Sequence, residues 1–105
     1  MTAVSAAVDA IFADRNMAAD AVWLPAAGGA GIACRVIVNA PDADMAFGAS
    51  RVTVETVRLD VRVSEVAAPA RDDTVTIGGD TWQVSAQPRR DRERLVWQAE
   101  AVAAP

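Results

Sequence analysis

The sequence predicts a mainly β protein, a small antiparallel β-barrel or sandwich of about six strands with a short N-terminal helix and a long loop between early strands. Three observations point to this fold class. Short runs rich in valine, isoleucine, threonine and tryptophan alternate apolar and polar residues at the period of two that a half-buried strand needs. Glycine and proline separate these runs, and no helical segment long enough for a crossover connection lies between them.

The N-terminal helix is predicted over residues 2 to 13. Alanine, the best helix former, fills most of the segment, and four apolar residues fall on one stripe at helical spacing: Val4, Val8, Ile11 and Phe12. A helix of about three turns is marginal alone in water, so it needs a surface to pack on. Two alternatives stay open: the helix covers a face of its own domain, or residues 1 to 20 form an arm that orders on assembly.

The next two predicted strands form a hairpin. Ala21 to Leu24 is stopped by Pro25, and Ile32 to Asn39 follows a flexible glycine-rich stretch. The glycines of that stretch lack the Gly-Lys-Ser/Thr ending of a phosphate loop and do not open a helix, which favours a hairpin loop. Cys34 lies inside the second apolar run, so we expect a small core residue rather than a nucleophile.

A long loop is predicted from Pro41 to Ser50, where the residues follow no consistent period. Asp42 and Asp44 resemble the start of a calcium loop, but the glycine and the closing glutamate are missing at the required offsets. Met45 and Phe47 are apolar residues in the same loop. We therefore expect these four residues to contact a partner or to line a channel, without a bound metal.

The longest strand-like segment runs from Arg51 to Val63 and changes phase midway. Val52 and Val54 alternate in one phase, whereas the apolar residues from Val57 onward alternate in the other. A β-bulge or a strand break near residues 55 and 56 would return both sets to one core, because a bulge shifts the alternation by one residue.

Three further antiparallel strands are predicted between Asp73 and Glu100. Two short alternating runs flank Gly78-Gly79-Asp80, whose glycines permit the positive φ of a tight hairpin turn. Pro88 ends the second of these strands because it has no N–H to give to the ladder. The last strand resumes at Arg94, after a charged connection.

That charged connection carries both signs and is a candidate assembly interface. Mixed-sign patches suit self-complementary contacts between copies of one chain, and the planar fork of arginine is favoured at interfaces. The alternative is a solvated turn whose surface ion pairs are worth about 0 to 1 kcal/mol each. The candidate interface residues are Arg89, Arg90, Asp91, Arg92, Glu93 and Arg94.

Composition limits the possible functions. The 105 residues form one domain, with the barrel over residues 21 to 102, and the net charge is −4. Without histidine or lysine the chain lacks the usual general bases and the commonest metal ligand, so we expect neither an enzyme nor a cofactor. The lone cysteine cannot form an internal disulfide, and no apolar run reaches the roughly 20 residues that span a bilayer. We therefore expect a protein without a membrane partner.

A nucleic-acid-binding barrel is the second function class. Trp23, Trp82 and Trp97 could stack on bases while arginines follow the phosphates. The acidic balance of the whole chain argues against this class, because phosphate attraction would be weak at physiological salt.

Four parts of the chain carry a family resemblance. They are Ile11 to Trp23, Val57 to Val63, Asp73 to Val84, and Pro88 to Trp97 with its Arg-Asp-x-Glu-Arg-Leu-Val-Trp sequence. Together they resemble the head-tail joining, or head-completion, proteins of lambda-type tailed bacteriophages and their prophage and gene-transfer-particle relatives. The similarity extends over nearly the whole chain.

The resemblance implies a structural protein of the virion neck, assembled in the cytoplasm of the bacterial host. It implies a ring, of six copies, beneath the portal or its adaptor, which retains packaged DNA and docks the tail terminator or the tail tube. DNA would pass through the lumen without specific binding. A stopper is the favoured place in the neck, and a tail terminator or an adaptor is the alternative.

Overall fold

The computed structural model describes residues 3–39 and 56–104, which form one helix and seven strands. The helix, α1, spans Ala3–Ala13. The strands are β1 Ala19–Leu24, β2 Ile32–Asn39, β3 Thr56–Arg62, β4 Thr74–Ile77, β5 Asp80–Val84, β6 Arg89–Arg90 and β7 Val96–Ala103. The predicted mainly β fold with one short N-terminal helix is confirmed.

Six of the strands close into an antiparallel barrel. Going round it, β1 pairs with β2, β2 with β3, β3 with β7, β7 with β5, β5 with β4, and β4 with β1. The additional strand β6 pairs with the first half of β7, next to the part of β7 that pairs with β5. Closure gives each of the six strands two neighbours, whereas β6 has only one.

The barrel interior is filled by alternate residues of each long strand. β3 shows the pattern, since Val57, Leu59 and Val61 are buried while the residues between them face outward. This confirms the inward phase predicted from Val57 onward, and it confirms Cys34 as a core residue. The buried interior comprises Ala21, Trp23, Cys34, Val36, Val57, Leu59, Val61, Val66, Val75, Val84, Ala99 and Ala101.

One carboxylate, that of Asp73, is buried against this interior. Its Oδ2 accepts hydrogen bonds from Trp23 Nε1 at 2.9 Å and from the backbone N–H of Ala70 at 2.7 Å. Its Oδ1 accepts one from the backbone N–H of Ala26 at 2.8 Å. Three donors stabilise a charge that would otherwise be costly to bury. They also tie the β1–β2 loop and the β3–β4 connection to the same end of the barrel.

Two glycines meet specific backbone requirements in the hairpins. Gly78 has a φ of 61° in the β4–β5 turn, which confirms the predicted Gly-Gly hairpin. At Gly31 a Cβ would lie 2.6 Å from Val22 Cγ1, so a side chain there would displace Val22 on the neighbouring strand. The glycine-rich stretch joins the antiparallel strands β1 and β2, so it is a hairpin loop, as predicted.

The strand boundaries differ from the sequence-based expectation in three places. β7 begins at Val96, two residues later than predicted, because Arg94 and Leu95 belong to the turn before it. β1 begins at Ala19, two residues earlier than predicted, because Ala19 pairs with Val36 of β2. Part of the charged connection is a strand: Arg89 and Arg90 lie opposite Gln98 and Trp97. β5 pairs only with the last part of β7, which leaves the first half of β7 open on the same side. After Pro88 the chain returns to this open half and pairs with it as β6.

The predicted phase change near residues 55 and 56 lies at the border of the described residues, and Val52 and Val54 lie outside them. Within the ranges 3–39 and 56–104, no helix is long and apolar enough to cross a membrane.

Candidate assembly surface

The β6–β7 turn is built around Asp91. Its backbone N–H donates to the carbonyl of Val96 at 2.9 Å, and its carbonyl accepts from the N–H of Arg94 at 3.0 Å. Its Oδ1 accepts from the backbone N–H groups of Leu95 at 2.9 Å and Val96 at 3.2 Å. Aspartates commonly hold turns through such bonds to nearby backbone N–H groups. Asp91 therefore shapes the turn that presents the neighbouring arginines.

Arg94 occupies the left-handed backbone region at the end of this turn, with a φ of 59°. A residue with a Cβ in that region costs about 1 kcal/mol or more relative to glycine. The turn itself would accept glycine with less strain, so the fold alone does not require an arginine at this position.

The arginines of the turn are exposed and lack carboxylate partners among the described residues. The ion pairs of residues 3–39 and 56–104 involve other arginines, namely Arg35, Arg58 and Arg62. Arg89, Arg90, Arg92 and Arg94 are all exposed. The six residues of the cluster carry a net charge of +2 on a chain of −4, so the positive charge of this turn is local.

One of these arginines also stacks on the barrel. The Arg90 guanidinium lies 5.4 Å from the centroid of the Trp97 ring, a cation–π distance. The Trp97 Nε1 donates to the carbonyl oxygen of Val66 at 2.9 Å. The base of the turn is thus fixed by Trp97, whereas Arg92, Glu93 and Arg94 are exposed.

Helix α1 contacts the outside of the barrel through its C-terminal turn. Phe12 is 2% exposed, yet it is not part of the barrel interior. Val8 is half-buried, while Val4 and Ile11 are 47% and 43% exposed. The four residues therefore do not form the single buried stripe that their spacing predicted. Among these four side chains, Phe12 alone is fully buried against the barrel.

Two barrel arginines contact the C-terminal turn of α1. Arg35 on β2 donates from Nε to the carbonyl oxygen of Phe12 at 2.7 Å and from Nη2 to that of Ala18 at 2.9 Å. These bonds satisfy carbonyl groups at the helix C-terminus and in the loop that follows it. The Arg62 guanidinium lies 5.4 Å from the centroid of the Phe12 ring and pairs with Asp9 Oδ1 at 3.1 Å.

A groove of about 320 Å³ separates α1 from the β6–β7 turn. Val8, Val63 and Leu95 contribute apolar surface, and Arg94 borders the same groove. Val8 belongs to the candidate arm and Arg94 to the candidate interface, although they are far apart in the sequence. The structure thus brings two of the three predicted surfaces together.

The third predicted surface is the long loop between early strands. Asp42, Asp44, Met45 and Phe47 lie outside the described residues, so their role in contacting a partner or lining a channel stays a prediction. Arg35 and Arg62 were not singled out from the sequence. A signal was available for Arg35, since it interrupts an otherwise apolar run.

Among residues 3–39 and 56–104, two ionisable groups have raised pKa values, and neither lies in the groove. Burial raises the pKa of the Cys34 thiol from 9.0 to about 11; the Glu65 carboxylate adds to the rise and Arg62 opposes it. The thiolate is the nucleophilic form, so Cys34 is poorly suited to covalent chemistry. Burial also raises the pKa of Asp60, against the charge of Arg58, whose Nε lies 3.2 Å from Asp60 Oδ1.

The described residues contain no group of three or more cysteine, aspartate and glutamate side chains that could hold a metal. The fold and the candidate site are those of a closed six-stranded β-barrel that carries an arginine-bearing turn beside a docked helix.

The chain belongs to the phage head-tail attachment family: the family model described as Phage Head-Tail Attachment protein matches residues 1–101. The resemblance is therefore confirmed. Proteins of this family are structural phage proteins, so the chain has a head-tail joining role and interacts with other head and tail components of the phage particle. A search of curated proteins finds no match to the chain.

Proposed function

We propose that this chain is a head-completion, or stopper, protein. It assembles as a ring beneath the portal or its adaptor, retains the packaged DNA and docks the tail. The observation that carries the proposal is the family match over residues 1–101, which includes α1, the arginine-bearing turn and all of the barrel except the last two residues of β7. The family resemblance further implies six copies in the ring.

The described surface supports a role in protein contacts. Each of the six barrel strands already has two neighbours, and the two-residue β6 has one, so among the described residues the side chains and turns offer most of the surface for contacts. The β6–β7 turn, with its exposed arginines, and the groove beside α1 are two such features. We propose that the cluster from Arg89 to Arg94 forms part of the assembly interface, with Asp91 holding the turn in shape.

The charge of the chain suits a lumen through which DNA slides. Protein–DNA attraction comes largely from cationic side chains that neutralise phosphates, and this chain carries a net charge of −4. We expect only weak binding of duplex DNA in a filter-binding assay at low salt. Nanomolar affinity for DNA would contradict passage without binding and would favour the nucleic-acid-binding class.

Electron microscopy of particles made without this protein tests the proposed function. We expect separate heads and tails, with heads that have lost DNA, and normal particles once the wild-type chain is supplied. Joined, filled particles in the absence of the chain would contradict the proposal. If the heads instead remain filled and accept normal tails while the tails themselves are defective, the chain acts on the tail side, as a terminator.

A further inference from the structure

The groove between α1 and the β6–β7 turn combines apolar walls with the guanidinium of Arg94, which forms no ion pair with a carboxylate of the described residues. Val8, Val63 and Leu95 line it, and it is mostly apolar in character. Its volume, about 320 Å³, is at the lower end of the range of about 300–1,000 Å³ found for ligand pockets. A space of this size accommodates one or two apolar side chains rather than a whole structural element.

The charges around the groove differ in their availability. Arg62 and Asp9 both line the groove and pair with each other at 3.1 Å, and Arg62 also pairs with Glu65 at 3.1 Å. Arg94 is exposed and forms no ion pair with the described carboxylates. The cation that the groove can offer to an incoming group is therefore Arg94, with Arg92 next to it in the exposed turn.

We infer that this groove binds an acidic segment of another phage neck protein, which inserts an apolar side chain between Val8 and Leu95 and pairs a carboxylate with Arg94. The inference rests on the proposed function, because it names the chemistry of one partner in the joint. The charge of the turn indicates the chemistry of the partner, because a locally cationic turn on an acidic chain attracts a carboxylate-bearing protein surface. Arginine is well suited to this contact because its fork binds a carboxylate through two parallel hydrogen bonds.

A protein partner fits the groove better than DNA. The cationic residues of the turn are interleaved with Asp91 and Glu93, which would repel a polyanion but can face a mixed-sign protein surface. The apolar part of the groove has no counterpart on a phosphate backbone, whereas a leucine or phenylalanine side chain would bury surface there.

The backbone of Arg94 permits a test that separates binding from folding. In Arg94→Gly the left-handed φ of 59° is relieved and the charge is lost, so the protein should fold at least as well as the wild type. The matched control is Arg71→Gln, which removes an exposed arginine from the β3–β4 connection, outside the groove. A second variant, Val8→Glu, places a carboxylate in the groove beside Arg94.

The probe is an acetylated Glu-Leu-Leu-Glu peptide added to the ¹⁵N-labelled protein, with Gln-Leu-Leu-Gln and a short DNA duplex as comparisons. We expect amide shifts at Val8, Ser64 and Leu95 with the acidic peptide only. Affinity should fall roughly tenfold in Arg94→Gly and in Val8→Glu, as expected for the loss of one charge-assisted contact, and should be unchanged in Arg71→Gln. No shifts at millimolar peptide, equal binding to Arg94→Gly, or shifts with DNA alone would overturn the inference.

A particle assay separates this inference from the proposed function. In cells that lack the chain, the wild type and Arg71→Gln should restore head-tail joining, whereas Arg94→Gly should restore much less. If joining proceeds without any copy of the chain, the proposed function fails. If joining requires the chain but Arg94→Gly restores it fully, the groove inference alone fails.

Discussion

Trp23 Nε1 donates a 2.9 Å hydrogen bond to Oδ2 of Asp73, and both residues are buried at one end of the barrel. They are 50 positions apart in the sequence. The indole and two backbone N–H groups converge on one carboxylate, so three donors depend on a single acceptor group. This relationship leads to the first prediction.

Asp73→Ala is expected to lower the free energy of unfolding by about 3 kcal/mol, because buried donors lose their acceptor. Asp73→Asn should restore little, since all three neighbours are donors and an amide would direct its own N–H groups at one of them. Urea denaturation measures both. The control is Asp72→Asn at the exposed neighbouring position, whose φ of 78° asparagine tolerates. Equal effects at the two positions would contradict the buried role of Asp73.

Cys34 should determine how stability varies in alkaline solution. The folded protein holds the thiol proton up to a pKa of about 11, whereas the unfolded chain releases it near 9.0. Between these values the unfolded state binds fewer protons, so stability falls as pH rises. The sequence contains no lysine, tyrosine or histidine, so no other side chain should titrate between pH 9 and 11. Urea denaturation across this window should show the loss in the wild type and not in Cys34→Ala; the same slope in both would contradict the assignment.

Within the charged cluster, Asp91 should affect stability and Arg92 should not. Asp91→Ala removes the acceptor of two backbone N–H groups and should cost about 1–2 kcal/mol. Arg92→Ala, at an exposed position in the same turn, should change stability by less than about 0.5 kcal/mol. Thermal unfolding of the two variants gives the comparison. If Asp91→Ala causes no loss of stability, the hydrogen bonds from the backbone N–H groups to the Asp91 carboxylate are not maintained in solution.

The docking of α1 should depend on Phe12 and not on its neighbour Ile11. Phe12→Ala empties the site under Arg62 and should cost about 3 kcal/mol, whereas Ile11→Ala alters a side chain that is 43% exposed and should cost much less. Amide hydrogen exchange should show faster exchange in α1 of Phe12→Ala while the barrel stays protected, because no α1 residue belongs to the interior. Loss of protection throughout the barrel would show that helix and barrel form one cooperative unit.

The barrel strands were predictable because their signals are local. Alternation identified β3, β4 and β5, and the paired glycines identified the hairpin turn between β4 and β5. The Asp73 network was not predictable, since hydrogen bonds between loops leave no periodic pattern. The stripe of Val4, Val8, Ile11 and Phe12 was overestimated because only Phe12 is fully buried, while contacts from Arg35 and Arg62 hold the same half of the helix. β6 was missed because two residues are too few to show alternation.

The candidate surface was predictable in composition and not in arrangement. The mixed charges of the cluster are visible in the sequence. The shape of the turn, in which Asp91 accepts backbone hydrogen bonds and the arginines are exposed, depends on the backbone hydrogen bond from Asp91 to Val96. The groove that unites Val8 with Arg94 depends on where α1 docks, which the sequence left open.

A head-tail joining assay with a variant that lacks two arginines of the β6–β7 turn tests the central claim most directly. Purified heads lacking this chain would be mixed with tails and with either the wild type or the double variant Arg92→Ala, Arg94→Ala, after circular dichroism has shown that both proteins are folded. We predict that the wild type yields joined, infectious or DNA-transferring particles and that the double variant yields few or none. Joining at the wild-type level by the folded double variant would contradict the assignment of this turn as an assembly surface.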